Sequence, residues 1–163
     1  KPQITHGGSM RYVLARKGEY EIKSSVNQIL NQEKKLELDN LNSCLKFKKQ
    51  CELSKEKTIN HLNNFKKEKK SICGYAATSK STTILNYCNI GPDIIDYICD
   101  TTPEKIGKFS PGMHIPIKSP EHFKKNLPDI AYLFAWNHKN EIFLKEKNFT
   151  EKRNGKWFSH VTL

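Results

Sequence analysis

A chain of 163 residues with 36% hydrophobic side chains can bury one sizeable core with a smaller appendage beside it, so one main domain is the expectation. No run of about 18 apolar residues and no apolar leader occurs, which excludes a membrane-spanning helix of the usual kind and gives a cytoplasmic protein as the expectation. The formal charge of +11 raises nucleic acid as a partner, but no RNP motif, helix-turn-helix signal or zinc finger accompanies it.

Residues 1–70 hold 16 basic and 8 acidic side chains, against 12 and 9 in residues 71–163. The excess sits in pairs such as Lys34-Lys35, Lys48-Lys49 and Lys66-Lys67, interleaved with Glu and Asn, as on a solvated helix. In chain order, the stretch QITHGGSMRYVLA places Gly7-Gly8 ahead of Met10, Tyr12 and Leu14, whose alternation predicts a strand ended by Gly18. From about Leu36 to Lys67, Leu38, Leu41, Leu45, Leu53, Ile59, Leu62 and Phe65 recur at helical spacings and predict one long amphipathic helix or two shorter ones.

The character changes at Ser71. A short apolar strand, Ser71-Ile72-Cys73, is followed by a turn opened by Gly74, a helix over Ser79–Cys88 and a second strand over Ile94–Cys99 that ends at Asp100. Strand, glycine turn, helix, strand and acid make the opening of a βαβ unit. A third strand is predicted over His114–Ile117, a short helix capped by Ser119 with Pro120 in its first turn, and a buried strand over Ile130–Ala135. A helix over Glu141–Lys147 and a last strand over Lys156–Val161 complete a compact α/β fold, Rossmann-like, with a mostly parallel sheet and flanking helices. The cysteines, Cys44, Cys51, Cys73, Cys88 and Cys99, form no CxxC pair and read as free, reduced thiols rather than metal ligands.

The segment GYAATSKS, Gly74 to Ser81, is one residue short of a phosphate-binding P-loop, with Ser79 where GxxxxGK[ST] has its second glycine. A triphosphatase also needs a larger domain around that loop and its magnesium-binding acid. The dinucleotide fingerprint is incomplete as well, with Ala76 and Ser79 at glycine positions, although Asp100 follows Gly74 by 26 residues, in the right structural place to accept from a ribose. What survives is a turn of small side chains at a helix N-terminus beside Lys80. Such a turn either holds an anion or simply leaves Lys80 in solvent.

Four motifs then stand in order: HGGSMR at 6–11, GYAATSKSTTILNYC at 74–88, IGPDIIDYICDTTPEKIGKFSPGMHIPI at 90–117, and DIAYLFAWNHKNEI at 129–142. Together they resemble the C-terminal part of the sugar C-methyltransferases, enzymes that methylate nucleotide-linked deoxysugars, over nearly the whole chain. The resemblance implies that residues 1–22 are a strand or linker from the end of a methyltransferase domain, 23–70 a helical connection, and 71–163 a Rossmann-like domain that helps to bind a nucleotide-diphosphate sugar. S-adenosylmethionine would be bound by an upstream domain. That domain would also supply the base that deprotonates the carbon beside a 4-keto group, so no catalytic residue, cofactor site or metal site is expected here. A chain beginning at lysine fits a fragment of a longer enzyme, inactive alone.

Carried over residue by residue, the resemblance implies that Lys80 pairs with a sugar-nucleotide phosphate while Gly74, Tyr75 and Ala76 shape the turn. Lys108 and His114 match a basic and a histidine position. Trp136, Asn137 and Glu141 match the WN and Glu-Ile element, with Asn137 near substrate, and His6 and Ser9 face the upstream domain and the sugar. Ala76 and Ser81 depart from the family's glycines, which shifts the expected phosphate contact from a ring of backbone amides to Lys80. Two other readings stay open: a stand-alone dinucleotide or nucleotide-sugar binding module without methyl transfer, and a basic nucleic-acid-binding protein. For His114 a histidine held between strands stays open beside a ligand contact, and Trp136 reads as a core position before a stacking platform.

Overall fold

The computed structural model describes residues 1–162, except for the side chain of His6. The chain divides into two compact units, Lys1–Glu52 and a second from Leu53 onward.

In the first unit, β1 (Pro2–Gln3) pairs antiparallel with β2 (Ser9–Met10) across a short turn of 3-10 helix. The strand expected through Leu14 is not formed, and Val13 and Leu14 are each 90% exposed. An alternating pattern becomes a strand only where a neighbour pairs with it, and β1 pairs with this one only as far as Met10. Helix α1 (Ser24–Lys35) lies within the 23–70 segment that the resemblance makes helical; the periodicity reading began only at Leu36, although Val26, Ile29 and Leu30 have the spacing of one helical face. The helix predicted from Leu36 starts later: Glu37 takes a left-handed φ of 52°, and α2 (Leu41–Lys67) begins after Asn40, whose side-chain oxygen accepts from the Asn42 amide at 2.8 Å.

The second unit takes the remainder of α2 and wraps it onto a sheet. Five parallel strands, β3 (Ile72–Tyr75), β4 (Tyr97–Cys99), β5 (Ile117–Lys118), β6 (Ile130–Leu133) and β7 (Lys156–Phe158), stand in the order β5-β4-β3-β6-β7. Counted within this unit the order is 3-2-1-4-5, that of a doubly wound dinucleotide-binding sheet. The intervening helices are α3 (Ser79–Cys88), α4 (Pro120–Lys125), α5 (Lys139–Lys145) and α6 (Lys147–Glu151).

The two-residue alternation of a strand sends one set of side chains to each face. Ile72, Ile98, Ile130 and Tyr132 pack with Leu62 of α2 and Leu85 of α3, while Cys73, Cys99 and Leu133 pack with Phe123 of α4 and Phe149 of α6. Both faces are covered, which explains why the strands read as continuous apolar runs. At the start of the sheet the Asp129 carboxylate accepts from the Ser71 amide at 2.9 Å and from its hydroxyl at 2.8 Å, and meets Arg153 at 3.2 Å. Those bonds, the Ser71 amide first, hold its pKa below the ordinary value.

Several predicted boundaries move. Gly74 does not open the turn; it is the third residue of β3, buried, and a Cβ on it would come 2.7 Å from Phe134 and 3.1 Å from Ile98. Ile94 and Ile95 belong to a turn whose amides donate to the Gly91 carbonyl, so β4 is shorter than Ile94–Cys99. Residues 107–117 fold back as a hairpin along the sheet edge, with Phe109 bridging Pro116. His114 sits at its tip with φ 53° rather than in a strand. Helices α5 and α6 break at Glu146, whose carboxylate is turned inward onto Tyr75.

Candidate functional site

In an open parallel sheet the loops leaving two neighbouring strands part company where the strand order reverses, and the gap they leave is the natural ligand crevice. Here that point lies between β3 and β6, and the loops are Ala76–Thr78 and Phe134–Asn137.

The first loop is built tightly. The Ala76 amide donates to the Cys99 carbonyl at 2.8 Å, its φ is 75°, and the Thr78 amide donates to the Ala76 carbonyl at 3.1 Å. A left-handed alanine is uncommon and reverses the chain within one residue, where a glycine would do so without the Cβ penalty. Thr78 then caps α3, its hydroxyl oxygen accepting from the Ser81 amide at 3.3 Å, while the Ser81 hydroxyl donates to the Thr78 carbonyl at 2.6 Å. The amides of Ser79 and Lys80 are the first two of the helix and have no protein partner among the described residues. They carry the positive end of the helix dipole outward.

Lys80 is half-buried in the first turn of α3 and reaches the second loop. Its amino group donates to Asn137 Oδ1 at 3.0 Å and lies 5.7 Å from the centre of the Trp136 ring. No carboxylate stands within ion-pair distance of Lys80 among the described residues. A neutral amide and an aromatic face position the ammonium without neutralising it, so its charge is available to an anion.

The acid at the end of β4 is otherwise engaged. Asp100 is buried, one carboxylate oxygen accepting from the Ala77 amide at 2.6 Å and the other from the Thr102 amide at 2.8 Å. Lys105 donates to the Ala77 carbonyl at 2.8 Å and stands 3.7 Å from the Asp100 carboxylate. The ribose-binding place suggested for Asp100 is therefore corrected: its oxygens face the protein's own backbone.

The predicted site residues separate into groups. Lys80, Ala76 and Asn137 come together at the crevice. Gly74 lies in the core beneath it, and Tyr75 points into the opposite face, donating to buried Glu146 at 2.9 Å, with burial and then that bond driving its pKa up. Lys108 is exposed along the sheet edge, its carbonyl accepting from Ile117 at 2.8 Å. His114 is exposed at the hairpin tip, where the preceding Pro111 carbonyl accepts from Asn86 at 3.0 Å in the last turn of α3. Asn86 lies six residues beyond Lys80, about 9 Å along the helix, so His114 belongs to the other end of α3. Ser9 is exposed in the first unit and donates to the Thr5 carbonyl at 3.1 Å. The side chain of His6 lies outside the described residues.

Sequence reasoning missed Lys105 altogether, because a lysine in the run TTPEK carries no motif. It also missed the Thr78 cap, which the threonine ahead of the predicted helix start would have shown. No group of three or more His, Cys, Asp or Glu able to hold a metal ion occurs among the described residues, and none of their helices is long and apolar enough to cross a membrane.

Strand order and layered helices define a doubly wound, Rossmann-like α/β domain. Residues 4–161 match the C-methyltransferase C-terminal domain family, and the chain belongs to that family. It is similar to the C-methyltransferase NovU of Streptomyces niveus, 31% identical over 147 residues that make up 90% of this chain and 35% of that protein. The chain thus spans about a third of the length of the curated relative it matches.

Proposed function

We propose that this domain is the substrate-side part of an S-adenosylmethionine-dependent C-methyltransferase and that it holds the diphosphate of a nucleotide-linked keto-deoxysugar at the β3–β6 crevice. The observation that carries the reading is Lys80, an unneutralised cation in the first turn of α3, steadied by Asn137 beside the open amides of Ser79 and Lys80. A diphosphate presents several oxygens to such a set, and each contact is charge-assisted. Ala76 shapes the turn from below. Lys108, His114 and Ser9 are kept as contacts to more distant parts of the substrate or to the rest of the enzyme.

S-adenosylmethionine supplies the methyl group in this reading and is bound by an upstream domain, with the base that deprotonates the sugar. The engagement of Asp100 with Ala77, Thr102 and Lys105 speaks against an NAD-type dinucleotide held in the usual Rossmann manner, because the acid that would take its adenosine ribose is not free. The upstream partner is further supported by the first unit's exposed apolar side chains, Tyr12, Val13, Leu14 and Phe47 among them. Five unpaired cysteines suit a reducing compartment, so a cytoplasmic site of action belongs to the same proposal.

Calorimetric titration of the chain with dTDP-glucose, UDP-glucose, NAD and S-adenosylmethionine tests the reading. One or both sugar nucleotides should bind and S-adenosylmethionine should not. Lys80→Ala should weaken sugar-nucleotide binding tenfold or more, about 1.4 kcal/mol, with an unchanged melting temperature. Tight S-adenosylmethionine binding by these residues, preference for NAD, or indifference to Lys80→Ala would overturn it.

A further inference from the structure

Asp100 and Lys105 grip a single peptide segment from both sides. The carboxylate accepts from the Ala77 N–H at 2.6 Å, the ammonium donates to the Ala77 carbonyl at 2.8 Å, and the two charges stand 3.7 Å apart. Residue 77 lies between the left-handed Ala76 and the cap Thr78, so its orientation sets the direction in which the Ser79 and Lys80 amides point. Asp100 is 6% exposed and its second oxygen is committed to the Thr102 amide at 2.8 Å, which fixes the carboxylate from behind. Lys105 is the more open member, 41% exposed at its side chain, yet its charge is largely balanced by Asp100. The turn thus meets two lysines with different work: Lys80 reaches Asn137 with its charge intact, and Lys105, from the segment after β4, is turned onto the loop.

We propose that Asp100 and Lys105 are positioning residues for the anion-binding turn, clamping Ala77 so that the Ser79 and Lys80 amides and the Lys80 ammonium are aimed before ligand arrives. The inference rests on the phosphate-holding role proposed above and adds residues that touch the loop rather than the ligand. Preorganised donors bind an anion more tightly than donors that must be ordered on binding. Loss of the clamp therefore lowers affinity without removing a ligand contact, in the way that losing the partners that orient a metal's ligands costs roughly ten- to a hundredfold.

The test uses the full chain and the partly exposed member, since Lys105→Met can leave the core intact where changes at Asp100 can unfold it. Amide hydrogen exchange of the ligand-free chain should show faster exchange at Ala77 in Lys105→Met, with the rest of the sheet unchanged, and Lys105→Arg should restore protection. Calorimetry with UDP-glucose or dTDP-glucose should show about tenfold weaker binding in Lys105→Met and recovery in Lys105→Arg. Unchanged exchange at Ala77 overturns the clamp, even if affinity falls, because that combination makes Lys105 a direct ligand contact. Unchanged affinity in a variant whose Ala77 amide exchanges faster overturns the link between clamp and binding. If the unsubstituted chain binds neither sugar nucleotide, the diphosphate reading fails, and the exchange data alone still decide whether Lys105 holds the loop.

Discussion

Gly74 stands where the sequence suggests a turn, yet what the fold uses is its missing side chain. A Cβ there would meet Phe134 Cε2 at 2.7 Å and Ile98 Cγ1 at 3.1 Å, so the glycine lets Phe134 lie against β3. Gly74→Ala is expected to lower stability by about 1–3 kcal/mol in denaturant melts, as overpacking does. Combining it with Phe134→Leu should cost less than the sum of the two single changes, since the smaller side chain vacates the contested space. The buried thiols are a second case at this scale. Burial pushes Cys99 up to about 12 and Cys73 well above its ordinary value, which makes both poor nucleophiles despite their place under the crevice.

Helix α3 carries the proposed site, and its beginning was legible: Ser79–Cys88 is both the predicted and the observed span. Its cap decides how firmly that first turn stands. Thr78→Ala removes the acceptor of the Ser81 amide and should cost about 1 kcal/mol, while Thr78→Ser should keep most of the stability; thermal unfolding of the two variants side by side would check this. Asn89 ends the helix with φ 53°, the left-handed geometry that asparagine tolerates better than most residues. Strand limits were read less well than helix limits. Ile95 and Ala135 continue apolar runs, but they are buried in turns and loops beyond the strand ends, and hydropathy alone cannot tell this from burial by pairing.

Across the second unit, pH should act through His160. Its Nδ1 lies 3.3 Å from the Tyr132 hydroxyl beside β7, and burial holds its pKa below the ordinary 6.5. The folded protein therefore binds that proton less readily than the unfolded chain. The stability His160 contributes is present above the unfolded value, declines as pH falls through it, and is fully lost once the folded histidine is also protonated. Melting temperatures measured from about pH 7.5 to 5 should fall, and His160→Gln should flatten that decline. Asp129, whose pKa is lowered, acts in a separate and more acidic window, its stabilisation being lost as pH falls through its folded value.

The alternation of strand and helix, the parallel α/β class, the start of α3 and the family motifs are legible in the chain alone, because they rest on local periodicity, turn chemistry and residues in order. It also brought Lys80 and Asn137 to notice through those motifs, but said nothing of their meeting. It takes the folded chain to show that they touch at 3.0 Å, that the Asp100 carboxylate accepts from Ala77, and that His114 stands at the far end of α3. Each of these depends on which strands become neighbours and where the order reverses, a choice made by non-local packing that no window of sequence contains.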